Sequence, residues 1–215
     1  ISSWWVITHG HCHPKIVAAI QEQAAKLDQV IFAGFTHEPA ERVARNLLAL
    51  APDNLAHVFF SDSGSTAVEV ALKMALGYWR NSGKTRRTRV LALEHAYHGD
   101  TIGTMSAGAR GVFNAAYEAL LFEVGRIPFP AQGQEQATLD ALEAECKSGT
   151  VAALLVEPLI LGAGGMLIYA PSVLAQMREI CKAHNVLLIA DEVMTGFGRT
   201  GEVFACHLAD IAPDI

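Results

Sequence analysis

The sequence predicts an α/β fold, a mostly parallel sheet covered by helices on both faces, and three observations predict it. Helical patterns alternate with short β-rich runs along the chain. Those runs are continuously apolar instead of alternating, as strands buried on both faces are. A polar or glycine-bearing segment follows each run directly, and open α/β sheets bind ligands at such strand ends.

In chain order, residues 14–27 read as a helix opened by Pro14, a residue suited to the first helical position. A second helix is expected over 39–50. Residues 57–61 read as a strand, followed by a helix over 65–80 in which TAVEVALKMALGYW is amphipathic. Next come a strand over 90–94, a helix over 134–147 and a strand over 151–156 closed by Glu157-Pro158. A helix over 171–184 and a strand over 186–190, closed by Asp191-Glu192, complete the series.

Composition narrows the function classes. The 215 residues are 51% hydrophobic and 18% charged, which suits a packed globular chain and not a disordered one. With 16 Lys+Arg against 22 Asp+Glu the formal net charge is −6, so no basic field is present to hold a phosphate backbone and nucleic acid is not an expected partner. No apolar run approaches the roughly 18–20 residues of a membrane span. Cys12, Cys146, Cys181 and Cys206 lack CxxC spacing, and a reducing, cytoplasmic setting is expected. The chain opens on Ile1 and stops at Ala212-Pro213-Asp214-Ile215, where an apolar strand begins, so an internal piece of a longer protein is expected.

Several segments carry chemistry. His9, His11, Cys12 and His13 are all metal-ligating types, but near neighbours in sequence cannot all converge on one tetrahedral ion, and His13-Pro14 reads as the start of a helix. No metal is expected. SDSGS, at 61–65, precedes a helix, so the positive dipole end and free amides suit a phosphate, with Gly64 allowing close approach and Ser63 and Ser65 adding hydroxyls. An ordinary serine N-cap is the competing reading.

Asp191 ends an apolar strand with no lysine or arginine beside it, and a buried lone carboxylate is costly. The protonated ring nitrogen of pyridoxal phosphate would answer it, while Glu192 reads as a solvated strand end. Gly196 to Gly201 match GxGxxG, yet two carboxylates stand between that motif and the strand, which disfavours a dinucleotide. Glu94 to Asp100 bring an aromatic ring, two imidazoles and two carboxylates to a strand end. There Tyr97 either stacks on a flat cofactor or packs into the core, and His98 or Asp100 would orient the cofactor or move protons.

Five segments in this order, HGHCHP, DSGSTAVEVALKMA, AYHGDTIGTMS, VEPLILGAGGM and LLIADEVMTGFGRTG, resemble the class III pyridoxal-phosphate aminotransferases and run through nearly all of the chain. The resemblance implies the PLP-dependent transferase fold type I, with residues 1–215 forming most of the large cofactor-binding domain and the small C-terminal domain lying outside them. It implies Gly64 and Ser65 in the phosphate site, Tyr97 stacked on the ring and bordering substrate, Asp191 on the pyridine nitrogen and Trp4 in the substrate pocket. Glu157 matches a carboxylate near the cofactor whose role the resemblance does not fix.

Ser2-Ser3-Trp4-Trp5 and the ending FACHLADIAPDI resemble the branch that serves biotin synthesis. That branch implies transfer of an amino group from S-adenosylmethionine, or from lysine in minor members, to 8-amino-7-oxononanoate. Adjacent tryptophans in an extended stretch point to opposite sides, so one is expected to face the pocket and the other the protein. A homodimer with the active site at its interface is implied as well. The Schiff-base lysine is expected beyond Ile215, leaving no catalytic residue in this chain, which alone is expected to be inactive. A class III enzyme acting on an ω-amino acid or diamine, and a non-catalytic family member, stand as alternatives.

Overall fold

The computed structural model describes residues 2–215 and falls into two compact units, one of residues up to 51 with 56–58, the other of 52–55 with 59–215.

The first unit carries α1 (Pro14–Lys26) and α2 (Glu38–Leu48). Proline in the first turn of each fixes a helical φ where no intrahelical bond is lost. His37 caps α2 by accepting the amide of Ala40 at 3.4 Å. Apart from Ala40, none of its described residues is buried. Ser3, Trp4 and Trp5 have φ of 46°, 51° and 77°, so this stretch is a left-handed turn and the expected extended segment is not formed. The two indoles meet edge to face, with centroids 6.5 Å apart, which an extended backbone with opposed side chains would forbid.

The second unit is built on a parallel sheet of β1 (Arg89–Leu93), β2 (Gly125–Ile127), β3 (Val151–Val156) and β6 (Leu187–Ala190), ordered β2-β1-β3-β6. Its helices are α3 (Gly64–Asn81), α4 (Ile102–Ala107), α5 (Glu135–Cys146) and α6 (Pro171–Ala183). Strand side chains alternate between two cores. Val90, Ala92, Ala153 and Leu155 join Val68, Ala71 and Leu72 of α3, whereas Leu91, Leu93, Leu154 and Val156 join Leu139 and Leu142 of α5 and Leu174 and Met177 of α6. Both faces are covered, which is why the strands are apolar apart from Arg89 and Arg126. Every residue of β3 is buried.

A short antiparallel hairpin, β4 (Ile160–Leu161) with β5 (Leu167–Ile168), follows β3, and α7 (Ala205–Leu208) follows β6. Asp214 and Ile215 run beside β6, where Ala190 donates its amide to Ile215 O at 2.9 Å and Asp214 donates to Leu188 O at 2.9 Å. Residues 57–61 form no strand, against the sequence reading. Phe59 and Phe60 are 61% and 42% exposed, so this run lacks the cover that its apolar character implied. Among the described residues no helix is long and apolar enough to cross a membrane.

Candidate active site

The carboxyl ends of β1, β3 and β6 and the start of α3 define one neighbourhood in the second unit. Asp191 follows β6 and is held there by its own amide, which donates to Val156 O at 2.8 Å. The residue is only 8% exposed. Its Oδ2 accepts from Nδ1 of His98 at 2.8 Å and its Oδ1 accepts the amide of Val193 at 3.2 Å. The His98 side chain is fully buried, and its Nε2 has no hydrogen-bond partner. A buried carboxylate fixed through both oxygens has one orientation in which to meet a further cationic group.

The segment after β1 supplies the next groups. Tyr97 is 42% exposed, with its hydroxyl donating to Asp100 Oδ2 at 3.1 Å. Burial first, and the Asp100 carboxylate second, push its phenol above the ordinary range. The Tyr97 amide donates to Glu157 Oε1 at 3.0 Å, and Glu157 Oε2 accepts the amide of Gly162 at 2.9 Å. Burial holds the Glu157 carboxyl above its usual value, opposed by nearby His98 and by these two amides.

At the start of α3, Ser63 is indeed an N-cap: its Oγ accepts the amide of Thr66 at 3.1 Å and its carbonyl that of Ala67 at 2.9 Å. Thr66 answers by accepting the Ser63 amide at 3.0 Å, closing a capping box. The amides of Gly64 and Ser65 are left without an intrahelical acceptor. Ser65 Oγ accepts the amide of Asp100 at 3.1 Å, which ties α3 to the Tyr97 segment. Glycine is required at 99, where φ is 127° and a Cβ would lie 2.1 Å from Ser65 Oγ. A Cβ on Gly64 would meet Val193 Cγ2 at 2.9 Å. Glu69 of α3 also accepts from Thr101 Oγ1 at 2.6 Å and from the Gly103 amide at 2.8 Å, anchoring α4.

Gly64, Ser65, Tyr97 and Asp191 are therefore brought together, with Glu157 behind Tyr97. Trp4 belongs to the first unit and is 80% exposed. Glu192 is not a solvated strand end: its carboxylate accepts the amides of Ala205 at 2.8 Å and Cys206 at 2.9 Å, capping α7. Gly196 to Gly201 lie in turns and lead into this four-residue helix, so the strand-to-helix geometry of a dinucleotide motif is absent. Among the described residues no group of three or more His, Cys, Asp and Glu is placed to hold a metal.

Sequence reasoning missed the His98–Asp191 pair. The signal was there, since a buried carboxylate without lysine or arginine needs a donor and His98 follows Tyr97 at a neighbouring strand end. Glu69 as an anchor left no signal, being one acid among several on an amphipathic helix.

The family model for class-III aminotransferases matches residues 1–215. The chain is similar, at 55% identity, to an adenosylmethionine-8-amino-7-oxononanoate aminotransferase of Synechococcus elongatus; the match covers all of this chain and 52% of the relative. The crystal structure of a protein of that same name from Methanocaldococcus jannaschii matches with a TM-score of 0.90 and 34% identity, covering 96% of this chain and 47% of the other. An amine transaminase from an uncultivated Pseudomonas species, in its PLP-bound form, matches with a TM-score of 0.93 and 35% identity, covering 99% and 51%. The chain spans about half the length of the curated relatives it matches.

Proposed function

The chain belongs to the class-III aminotransferases, and we propose that it is the cofactor-binding part of a pyridoxal-phosphate enzyme of biotin biosynthesis. In that reading the whole protein moves an amino group from S-adenosylmethionine to 8-amino-7-oxononanoate, giving 7,8-diaminononanoate. The name shared by the curated relatives supports the substrate pair. One geometric observation carries the cofactor: Asp191, buried at the end of β6, is fixed by His98 and by the Val193 amide.

The residues fit pyridoxal phosphate. Gly64 and Ser65 present unclaimed amides at a helix start, suited to its phosphate. A Cβ at Gly64 would crowd Val193 and one at Gly99 would overlap Ser65, so the cradle depends on both glycines. Tyr97 offers a half-exposed ring for stacking. When bound, the cofactor supplies a protonated pyridine ring that draws off the electron pair released at the substrate carbon. Asp191 would hold the proton at the ring nitrogen, and His98, donating from Nδ1, keeps the Asp191 oxygen aimed. Glu157 and Ser65 fix the Tyr97 segment on its two sides, through the amides of Tyr97 and Asp100.

All six lysines, Lys15, Lys26, Lys73, Lys84, Lys147 and Lys182, are exposed. By resemblance to the family, the lysine that moves the proton would lie a few residues after the APDI segment, and the small domain after it. A homodimer acting in the cytoplasm, with Trp4 bordering substrate, completes the reading.

A second reading, an aminotransferase for ω-amino acids or diamines, is favoured by the match to the amine transaminase at a TM-score of 0.93. The two separate in one assay. Full-length protein is given 8-amino-7-oxononanoate with either S-adenosylmethionine, lysine or an ω-amino acid as donor. Formation of 7,8-diaminononanoate is expected with S-adenosylmethionine; turnover of the ω-amino acid with a simple keto acceptor, and none with 8-amino-7-oxononanoate, would replace the first reading by the second.

A further inference from the structure

Glu157 is a buried carboxylate, 6% exposed, that meets no lysine or arginine. Its two oxygens accept from two backbone amides that are far apart in sequence, Tyr97 at 3.0 Å and Gly162 at 2.9 Å. Its own carbonyl accepts the Tyr169 hydroxyl at 2.9 Å. Tyr169 sits just past β5, and its amide closes the hairpin on Leu159 O at 3.0 Å. The hairpin also reaches the Tyr97 segment directly, because a Cβ on Gly164 would lie 2.1 Å from His95 O. The two backbones thus approach too closely for a side chain at 164, with the Glu157 side chain bridging them.

We infer that Glu157 is a positioning residue that clamps the Tyr97 backbone to the β4–β5 hairpin and so sets the angle at which the Tyr97 ring is offered to a flat ligand. The residue type follows from the partners. One N–H donor meets each of the two side-chain oxygens, an arrangement that a carboxylate satisfies with two acceptors and no donor. Glutamine would turn one NH2 against an N–H and strand a buried amide. A carboxylate in this place carries a desolvation cost that a merely space-filling residue would avoid, which argues that both bonds are needed. Its contribution to ligand binding rests on the reading of Tyr97 as the stacking residue.

The test uses the full-length holoenzyme with pyridoxal phosphate. Glu157→Gln should weaken cofactor affinity about tenfold, the effect of one stranded buried amide, and should shrink the visible circular dichroism of the bound cofactor towards that of Tyr97→Leu. In the Tyr97→Leu background the same change should cost less than about twofold, because its route to the ligand is gone. Equal losses in both backgrounds, or an unaltered dichroism in Glu157→Gln beside a changed one in Tyr97→Leu, overturn the clamp. Wild-type affinity and dichroism in Tyr97→Leu overturn it too, and then the stacking role itself has failed. Amide exchange in the wild-type protein gives a test that needs no variant: Tyr97 and Gly162 should exchange as slowly as β3, and fast exchange at either refutes the bridge.

Discussion

Replacing Asp191 by Asn in the full-length protein removes a charge and keeps the shape of the site, because the His98 ring, unlike a backbone amide, can change tautomer and accept the new NH2 at Nδ1. A neutral amide cannot hold a proton on a ring nitrogen electrostatically, so kcat should fall by about 2–3 kcal/mol, roughly 30- to 150-fold, with the melting temperature little changed. Near-normal turnover would sink the assignment. Ser65→Ala should act on cofactor affinity more than on the saturated rate, because its hydroxyl holds the Asp100 amide and, in the proposed site, would hold the cofactor phosphate without taking part in bond breaking; a loss confined to kcat would contradict this. Trp4→Ala should leave the melting temperature nearly unchanged, since the side chain is 80% exposed, while raising the Michaelis constant for one substrate if Trp4 borders the pocket. At this scale the gathering of Asp191, Gly64 and Tyr97 at one end of the sheet was legible because each stands where a strand ends or a helix begins. The Asp191–His98 pairing was not, because the two are distant in sequence and only the parallel order of β1, β3 and β6 makes them neighbours.

Each strand of the sheet divides its side chains between two cores, and this gives a prediction about β3. Leu154 belongs to the α5–α6 core and Leu155 to the α3 core. Leu154→Ala and Leu155→Ala should each cost about 2–5 kcal/mol, and because they share no cluster the double variant should be close to additive in urea titrations. Strong non-additivity would mean that the sheet does not insulate one core from the other. The long elements were readable: the helix expected over 65–80 is α3, and the strand expected over 151–156 matches β3 at both ends. The strands β2, β4 and β5, of two or three residues, and the six-residue helix α4 are too short to show a period, and their form is imposed by neighbours. Residues 57–61 illustrate the opposite error, since apolar content makes a strand only where other strands and helices cover it, and Phe59 is 61% exposed.

For the molecule as a whole, three of four cysteines report on the integrity of the second unit. Cys146, Cys181 and Cys206 are buried, and burial pushes the Cys146 thiol up to about 11 and the other two higher still. Because the raised value keeps the reactive thiolate scarce until pH passes about 11 at Cys146, alkylation of these thiols at pH 8 should follow opening of the fold and be accelerated by urea. Rapid labelling at pH 8 without denaturant would show that the core is not closed. The parallel sheet also dictates an order of events during synthesis. Arg89 at the start of β1 pairs with Val151 at the start of β3, and β3 in turn waits for Leu187 to begin β6. At about 5–20 residues per second, β1 leaves the ribosome several seconds before its central neighbour exists, so even once β2 has paired with one side of this mostly apolar strand its other edge must stay unpaired over that interval. Nascent chains arrested before β3 emerges should be protease-sensitive and bind holding chaperones, and chains arrested after β6 should lose both properties together.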